Sequence, residues 1–312
     1  MKTTGDQQLV KRINRSVLLR LVRGQPGLSR AQLATQSGLT KSTVGLLVRE
    51  LVDDGWLAES STVAAPGLGR PSTPLQIDGA TRGLIGVEVA VDCVRAVGVS
   101  LVGQVLCALE EPLRSKQPSS VCTQLAGLVA AIYKDLTVRG MQASGIGIGL
   151  PGVFDERSGL VWFAPNLGWR QVKLLPQISA ALSAAGVPEL PLHLQNEADT
   201  GALSEYEFAT NENQDALIFV ACDIGVGAGI VLNDRLFTGV QGMAGEIGHS
   251  ILQIDGPLCS CGRYGCAETF IGAGALAREM KDTGRLDRAG RYLGVLLHNL
   301  WTTFNPGLMV LG

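Results

Sequence analysis

Residues 248–270 read GHSILQIDGPLCSCGRYGCAETF, and they hold one of the three histidines and three of the seven cysteines of the chain. The spacing His-x9-Cys-x-Cys-x4-Cys supplies one imidazole and three thiolates. Four such donors complete a tetrahedral zinc shell and leave no position for water, which is the arrangement of a structural site. Reduced cysteines in a core are the alternative, but this segment is polar and rich in turn residues. The spacing therefore predicts a zinc ion that holds the loop and performs no chemistry.

The composition is that of a soluble globular protein. The 312 residues are 46% hydrophobic and 17% charged, which is enough apolar material for buried cores in more than one domain. No apolar run reaches eighteen residues, and residues 1–16 lack the apolar centre of a signal peptide, so neither a membrane span nor export is expected. The other four cysteines are scattered singly, which is typical of core residues in a reducing compartment. A cytoplasmic location is the expectation.

The charge is distributed unevenly along the chain. Residues 1–49 carry nine Lys or Arg against one acid, a balance of +8 that leaves −10 for the rest of a chain whose net charge is −2. A concentrated positive charge favours an anionic partner, most simply nucleic acid.

The basic end begins with two helical patterns. Six apolar residues fall on one helical face, namely Val10, Ile13, Val17, Leu18, Leu21 and Val22. Gly24 and Pro26 end that helix. Ser29 is a good N-cap for a second, short helix over residues 30–37.

A third helix is predicted over residues 41–54, after a tight turn at Gly38 and Leu39 and with Thr40 as its cap. Its inward residues are Val44, Leu47, Val48 and Leu51. Two helices joined by a short glycine turn are typical of a helix-turn-helix, in which the polar start of the second of the two faces base edges and phosphates. A three-helix bundle that binds nothing is the alternative, and packing alone does not require the charge concentration.

Residues 56–59 and 72–77 look like two strands of a hairpin around the tip VAAPGLGRP. This hairpin is predicted to be a wing, with Arg70 placed to touch a phosphate or to enter a minor groove. The segment SRAQLATQSGLTKSTVGLLVRELVDDGWL at 29–57, followed by GRP, resembles the winged-helix head of bacterial transcription factors. The candidate DNA contacts are Arg30, Thr40, Lys41, Ser42, Thr43, Arg49 and Arg70.

From Gly83 onward, β-branched runs alternate with helical patterns, which predicts α/β lobes. Helices are predicted over 121–139 and 174–185. The strand candidates are LIGVEVAV, VRAVGVSL, GQVLCALEE, GIGIGLPG, LHLQNEAD, LIFVACDIGVGAGIVL and LMVLG. The expected organisation is a DNA-binding domain over residues 1–78 and an α/β domain over residues 79–312.

Two glycine-rich segments permit tight strand-end turns and close approach of a ligand to backbone amides: GIGIGLPGVFDERSG at 145–159 and DIGVGAGIVLNDRLFTGVQGMAGEIGH at 223–249. Together with the head and C-S-C-G-R-Y-G-C-A-E, in this order, they resemble the repressor branch of the ROK family of repressors, open reading frames and kinases. The resemblance covers nearly the whole chain. It implies a winged helix-turn-helix followed by a two-lobed sugar-kinase-like domain of the actin and hexokinase type.

The resemblance also implies the site residues. The zinc ligands carried over are His249, Cys259, Cys261 and Cys266. The sugar-site candidates are Asn166, Asn196, Glu197, Glu246, His249 and Glu268, because paired acceptors and rigid amides read sugar hydroxyls best. Each has a structural alternative: Asn166 could cap a turn, Asn196 could cap a helix and Glu246 could be a solvated acid.

Two departures from the kinases of the family argue against catalysis. Their phosphate loop, Asp-x-Gly-Gly-Thr, is replaced by Glu88-Val89-Ala90-Val91-Asp92, whose side chains would occupy the phosphate space. Their general base is an aspartate directly after an asparagine, and here Glu197 follows Asn196. A longer acid misplaces the base by about one methylene, which is costly in catalysis.

The expected function is that of a sugar-responsive DNA-binding regulator, most simply a repressor that a free sugar releases from its operator. Two alternatives stay open: a sugar kinase, and a DNA-binding protein whose sugar domain is vestigial. A homodimer or a higher homo-oligomer is expected, with two heads matching two DNA half-sites. Family members continue past the strand at 308–312, so the resemblance implies either a sugar domain that is truncated or rearranged at its C-terminus, or a further part that lies outside this sequence.

Overall fold

The computed structural model describes residues 6–60, 73–156, 158–208, 216–223, 225–240, 242–277 and 283–312, with the backbone alone for residues 283–285. The N-terminal head contains α1 (Gln7–Gly24), α2 (Arg30–Ser37), α3 (Lys41–Asp53), β1 (Leu57–Glu59) and β2 (Leu75–Ile77). β1 and β2 pair antiparallel. The predicted second and third helices are confirmed, the third ending one residue earlier than expected. The predicted wing tip, including Arg70, lies outside the described residues.

Local hydrogen bonds set the boundaries of α2 and α3. Ser29 and Gln32 form a reciprocal capping box at the start of α2, and Gly38 ends that helix in the left-handed conformation. The Thr40 hydroxyl accepts from the Thr43 amide at 3.2 Å and begins α3. These caps fix the turn between the two helices, and the four predicted inward residues of α3 are all buried.

Only part of the predicted apolar face of α1 is buried. Leu18 and Val22 are fully buried, whereas Val10, Ile13 and Val17 are 47%, 53% and 37% exposed. The helical period tells which residues share a face, but it does not tell how far the neighbouring helices extend along that face. The predicted helix is confirmed, and its last two turns contribute the fully buried residues of that face.

The first lobe of the α/β part is built on a five-stranded sheet of order β10-β6-β3-β4-β5. Its elements are β3 (Arg82–Val89), β4 (Cys93–Ser100), β5 (Val105–Pro112), α4 (Pro118–Val138), β6 (Gln142–Leu150), β7 (Val153–Asp155), β8 (Leu160–Ala164), β9 (Trp169–Lys173), α5 (Leu174–Ala184) and β10 (Leu192–Asn196). β10, β6 and β3 run parallel, and β4 and β5 extend the sheet antiparallel. Helix α4 packs across β3, β4 and β5, and α5 packs on α4.

The three-stranded antiparallel sheet β7-β8-β9 was not predicted from the sequence. Its strands are three to five residues long and several of their residues are exposed, so they give little alternating signal.

Within the described chain, α4 is the one helix that is long and apolar enough to cross a membrane, with a mean hydropathy of 1.2 over its most apolar window. Half of that window is buried in the fold. This is the behaviour of a core helix.

The second lobe is built on a four-stranded sheet of order β13-β12-β11-β14, in which β11 and β14 are parallel. Its elements are α6 (Glu197–Phe208), β11 (Ala216–Cys222), β12 (Val226–Leu232), β13 (Arg235–Leu236), α7 (Glu268–Ile271), α8 (Ala273–Ala277), α9 (Thr283–Phe304) and β14 (Leu308–Leu311). Helix α6 packs on β11 and β12. It follows β10 directly, so it carries the chain from the first lobe into the second.

The head contacts the rest of the molecule through α1 and through the α3–β1 turn. Arg20 pairs with Asp234 at 3.2 Å, and Arg23 pairs with Glu207 near the end of α6. On the other side, the Arg82 guanidinium lies 4.9 Å from the centre of the Trp56 ring. The head therefore touches both lobes.

Candidate functional site

Three strands of the first lobe end at one edge of its sheet. β3, β6 and β10 are parallel, with Glu88 opposite Gly149 and Asn196 opposite Leu150. Parallel strands have their carboxyl ends at the same edge, which is where open α/β sheets bind ligands. Glu88, Gly152 and Asn196 therefore lie at one edge.

Asn196 uses both ends of its amide to join this edge to the second lobe. Its Oδ1 accepts from the Ala198 amide at 2.8 Å, and its Nδ2 donates to the Gly152 carbonyl at 3.0 Å. The helix-capping alternative is therefore realised. A sugar contact by Asn196 stays a prediction, and the amide keeps one N–H and one oxygen lone pair for it beyond these two bonds.

Carboxylates from both lobes surround Glu197. Its side chain is open to solvent, yet the protein walls around it raise its pKa by desolvation, and the carboxylates of Glu88, Asp223 and Glu246 add to this rise. We refer to Glu88, Glu197, Asp223 and Glu246 as the acidic cluster. Such a cluster repels anions and favours a neutral ligand that donates hydrogen bonds.

Two glycines hold the turn over residues 246–249 against β12. A Cβ at Gly245, whose φ is +90°, would collide with the Ala228 carbonyl oxygen, and one at Gly248 would collide with that of Val226. Only glycine permits this approach. The two glycines of the sequence Gly-Glu-x-Gly-His are therefore required by the close approach of this turn to the backbone of β12.

Glu246, His249 and Glu268 lie within electrostatic reach of one another. Burial raises the pKa of Glu246, the His249 imidazole opposes this shift and the Glu268 carboxylate adds to it. Oε2 of Glu268 accepts from the Val226 amide at 3.4 Å, at the end of the second glycine loop. The structure thus brings together the predicted set Asn196, Glu197, Glu246, His249 and Glu268.

Asn166 is not brought into this group. It is exposed in the short turn that follows β8, and its backbone carbonyl accepts from Lys116 Nζ at 2.8 Å. Among the described residues, no recorded contact joins it to the acidic cluster. Its role in the site stays a prediction.

The four predicted metal ligands converge. Their donor atoms all lie within 4.8 Å of one another, with 3.6 Å from His249 Nδ1 to Cys259 Sγ and 3.7 Å from Cys261 Sγ to Cys266 Sγ. Tetrahedral zinc with Zn–S near ~2.3 Å and Zn–N near ~2.0 Å requires separations of about 3.6 Å between N and S and about 3.8 Å between two S atoms. The donor geometry therefore fits zinc.

The surroundings of Cys266 disfavour its thiolate when no cation compensates the charge. Burial raises the pKa of Cys266 to about 12, and the neighbouring thiols of Cys261 and Cys259 add to this rise. Three thiols at this spacing do not ionise together unless a metal compensates their charge.

The loop over residues 249–266, which carries the four predicted metal ligands, connects the turn that holds Glu246 to helix α7. Its backbone is closed by isolated bridges between Ile251 and Cys266 and between Leu258 and Tyr264. Gly265 has φ +71°, and a Cβ there would collide with the Gln253 carbonyl. Because the loop begins at the turn that carries Glu246 and ends at α7, an ion held there fixes both ends.

Asp199 is a buried acid that was not among the residues predicted for the site. It is 6% exposed on the first turn of α6, and its Oδ2 accepts from Gln195 Nε2 at 3.2 Å. Burial raises its pKa to about 7, the bond from Gln195 opposes that rise, and the carboxylates of Glu156 and Glu246 add to it. The sequence does hold a feature from which this contact could have been predicted. Gln195 and Asp199 are four residues apart, which places both on one side of the junction between β10 and α6.

The segment that replaces the kinase phosphate loop is a tight hairpin. The Ala90 amide donates to the Cys93 carbonyl at 2.9 Å, so only Val91 and Asp92 lie between the paired residues of β3 and β4. Glu88 beside it pairs with Arg95 at 3.0 Å. A hairpin of this kind offers no glycine-lined cradle of amides for phosphates.

In the head, α3 presents Lys41, Ser42 and Arg49 to solvent, and Thr40 and Thr43 lie beside them at its start. Leu46 shares this face and is 57% exposed, although sequence reasoning did not assign it. Leu46 could have been assigned to this face from its position. It follows Ser42 by four residues and precedes Arg49 by three, and residues at this spacing share one face of a helix.

Part of the positive charge of the head is neutralised within the protein. Lys11 and Arg15 pair with Glu50, Arg15 also pairs with Asp54, and Arg30 pairs with Glu59 at 2.5 Å. The predicted DNA contact Arg30 is therefore held toward β1. No ion pair among the described residues involves Arg12, Lys41 or Arg49.

The fold and site define a class: a winged helix-turn-helix head joined to a two-lobed domain with the architecture of sugar kinases. The ROK family profile matches residues 85–312, and a winged helix-turn-helix DNA-binding profile matches residues 12–58. The chain belongs to the ROK family.

Relatives that match most of this chain are named as regulators of transcription. The xylose repressor of Bacillus subtilis (strain 168) is 30% identical over 328 aligned residues, covering 98% of this chain and 83% of that protein. The DNA-binding transcriptional dual regulator NagC of Escherichia coli (strain K12) is 27% identical, with coverage of 88% and 66%.

Solved structures share the fold. A ROK family transcriptional regulator, a homolog of the E. coli MLC protein, has a TM-score of 0.81 at 24% identity, covering 97% of this chain and 83% of that one. The ROK hexokinase from Thermus thermophilus has a TM-score of 0.62 at 24% identity, with coverage of 74% and 81%. The architecture is thus common to regulators and kinases.

Proposed function

We propose that this protein is a cytoplasmic transcriptional repressor that a free sugar releases from its operator. The observation that carries the proposal is the placement of α6. This helix begins at Glu197 in the acidic cluster and ends at Glu207 and Phe208, where Glu207 pairs with Arg23 of the head. One rigid element thus joins the candidate sugar site to the DNA-binding head.

The DNA-binding half of the proposal rests on the exposed start of α3. Lys41, Ser42 and Arg49 carry the donors and the charge that meet base edges and phosphates in a major groove, and Leu46 adds an apolar contact. In this proposal the DNA-binding domain covers residues 1–78. Two copies in a homodimer place their α3 helices on half-sites one helical turn, about 34–36 Å, or a multiple apart.

The sugar-binding half covers residues 79–312. Carboxylates of Glu197, Glu246 and Glu268 accept from ligand hydroxyls, and Asn196 offers its amide. We propose that zinc is held by His249, Cys259, Cys261 and Cys266. His249 meets Cys259 through Nδ1, so Nε2 is left to face the ligand side. The zinc orders the loop between Glu246 and Glu268 and performs no chemistry.

We propose that the site is not catalytic. The hairpin at residues 90–93 and the negative charge of the acidic cluster disfavour binding of a nucleoside triphosphate. The carboxylates that accept hydrogen bonds from sugar hydroxyls are retained. The relatives at 27–30% identity are named repressors and regulators.

Sugar binding acts through a difference in affinity between two states. If the ligand draws the lobes together around Glu197 and Glu246, α6 moves relative to the first lobe, and its contact with α1 moves the head. A hundredfold fall in operator occupancy requires about 2.7 kcal/mol of differential affinity for the sugar.

The experiment that tests the function selects fragments of the source genome with the purified protein and then elutes them with a panel of free sugars and sugar phosphates. Selective binding of particular fragments and their release by one free sugar are expected. ATP turnover with the same panel is measured in parallel. Failure to bind any fragment contradicts the DNA-binding assignment, and phosphorylation of a sugar contradicts the non-catalytic one.

A further inference from the structure

A cavity of about 790 Å³ lies between the lobes, beside the acidic cluster. One wall comes from β7 and β8 and includes Glu156, Trp162 and Phe163. The other comes from residues 238–240, 242 and 243 of the second lobe and includes Val240 and Met243. Among the described residues, none of the six sugar-site candidates lines it. It is therefore a compartment next to the predicted site and not the predicted site itself.

The cavity and the acidic cluster share side chains at their junction. Glu156 Oε1, in the cavity wall, accepts from Gln195 Nε2 at 3.0 Å, and the same nitrogen donates to Asp199 at 3.2 Å. On the opposite wall, Met243 precedes Glu246 by three residues. The cavity and the predicted site at Glu246 are thus neighbours on both walls, linked by side-chain hydrogen bonds on one and by three residues of chain on the other.

The two walls approach closely near this junction. A Cβ at Gly242, whose φ is +67°, would lie 3.0 Å from the Phe154 carbonyl oxygen. Gly242 of the second lobe therefore lies close to the backbone of Phe154 in β7 of the first lobe. A ligand in the cavity therefore contacts both lobes at once.

The chemistry of the walls matches a sugar ring. Trp162 is 47% exposed and Met243 is 53% exposed, so apolar surface faces the space, while the Glu156 carboxylate supplies a hydrogen-bond acceptor. The Phe163 ring is backed by the Arg170 guanidinium at 4.5 Å, which holds it in place. A pyranose or furanose ring has apolar C–H faces and a hydroxyl edge, and small-molecule sites combine apolar walls with a few polar groups in this way.

We propose that the cavity binds a second sugar unit, so that the preferred effector is a short oligosaccharide or glycoside. One ring occupies the acidic cluster, and the next ring packs on Trp162. This inference rests on the proposed function, because it extends the same effector site. The volume lies within the range of about 300–1,000 Å³ that is usual for whole small-molecule sites, and it is additional to the space around Glu197 and Glu246.

The test is calorimetric titration of the full chain with matched pairs of monosaccharide and disaccharide: xylose and xylobiose, glucose and cellobiose, N-acetylglucosamine and diacetylchitobiose. For one pair, the disaccharide is expected to bind at least about tenfold tighter than its monosaccharide, and to release operator at a correspondingly lower concentration.

Trp162→Ala is expected to remove this tenfold gain and to leave the Kd of the monosaccharide unchanged. Trp162→Phe keeps an aromatic face and is expected to retain most of the gain. Trp301→Ala is the matched control, because Trp301 is 50% exposed on α9 and does not line the cavity. Thermal unfolding of each variant verifies that it is folded.

Equal Kd values for both members of every pair overturn the inference while leaving the proposed function intact, provided that a monosaccharide binds and releases operator. Equal losses for both members in Trp162→Ala also overturn it, because they assign the tryptophan a general structural role. If no saccharide binds at all, the effector assignment in the proposed function fails, and this inference fails with it.

Discussion

Arg20 of α1 and Asp234 of the β12–β13 turn form an ion pair of 3.2 Å across the junction between head and second lobe. Asp234 also accepts from the Tyr206 hydroxyl on α6, and Arg23 lies 5.8 Å from the centre of the Tyr206 ring. The head, the end of α6 and the β12–β13 turn therefore share one polar contact.

Asp234→Asn is expected to weaken the response to sugar without unfolding the protein. Asp234 has φ +61°, and asparagine tolerates this left-handed conformation, so the turn is retained. Because the pair is exposed, stability should change by less than about 0.5 kcal/mol. The measurement is the ratio of operator Kd with and without sugar, which should fall from about 100 to below about 10.

The matched control for that substitution is Asp135→Asn, which breaks an exposed pair with Arg139 on α4, away from the head. It should leave the Kd ratio unchanged. A full sugar response in Asp234→Asn would contradict coupling through this junction.

The parts of the fold that the sequence predicted are those with local causes. The α2 and α3 boundaries follow from Ser29, Gly38 and Thr40, whose side chains or backbone conformations act within four residues. The metal site was predictable because its four donors lie within eighteen residues, so that a single loop carries all of them.

The parts that the sequence did not predict depend on distant partners. Whether Val10 and Ile13 are covered depends on where the other helices end, and the pKa of Asp199 depends partly on Glu156 from the other lobe. The Arg30–Glu59 pair likewise joins a helix to a strand 29 residues away. The local spacing of apolar and polar residues predicts none of these three relationships.

Leu46→Ala is expected to reduce recognition of the operator more than general DNA affinity. Leu46 is exposed, so its loss should cost little stability, while an apolar contact to a base is worth about 1 kcal/mol, or about fivefold in Kd. Binding to operator and to unrelated duplex is measured at several salt concentrations.

Arg49→Ala is the comparison variant for Leu46→Ala. It should weaken binding to both duplexes and reduce the salt slope by about 1, because it removes a phosphate contact. Equal losses on both duplexes in Leu46→Ala would show that Leu46 does not contact a base.

Glu246→Gln is expected to abolish the sugar response and to leave operator binding and metal content unchanged. The substitution removes a carboxylate acceptor and puts an amide of the same size in its place. Sugar binding by calorimetry should weaken by at least about 100-fold. Glu189→Gln, at an exposed acid of the first lobe, is the control. Loss of operator binding in Glu246→Gln would contradict a role confined to the effector.

Cys261→Ser is expected to lower zinc content and stability together. Three remaining ligands leave the shell open, and the stabilisation that metal binding adds to the loop is lost, by about 2 kcal/mol or more. Zinc per chain and the midpoint of thermal unfolding are measured on the same sample. Cys107→Ser removes a thiol outside the metal site and should retain zinc. Full zinc stoichiometry in Cys261→Ser would refute the ligand set.

Asp199→Asn is expected to stabilise the protein at pH 8 and to have no effect near pH 4. The pKa of Asp199 is about 7 in the folded protein against 3.8 for the free side chain, so the folded state binds more protons between these values. Stability of the wild type therefore falls as the pH rises through this window.

The asparagine cannot ionise, and its Oδ1 can still accept from Gln195, so the variant avoids the cost of a buried charge. The gain at pH 8 should be about 1–3 kcal/mol. Because the carboxylates of Asp199 and Glu246 interact, the difference between variant and wild type reports Asp199 together with its effect on Glu246. The measurement is urea unfolding from pH 4 to pH 8, with the exposed Asp287→Asn as control. A pH-independent difference would show that Asp199 is ionised throughout, and that its carboxylate has a partner stronger than Gln195.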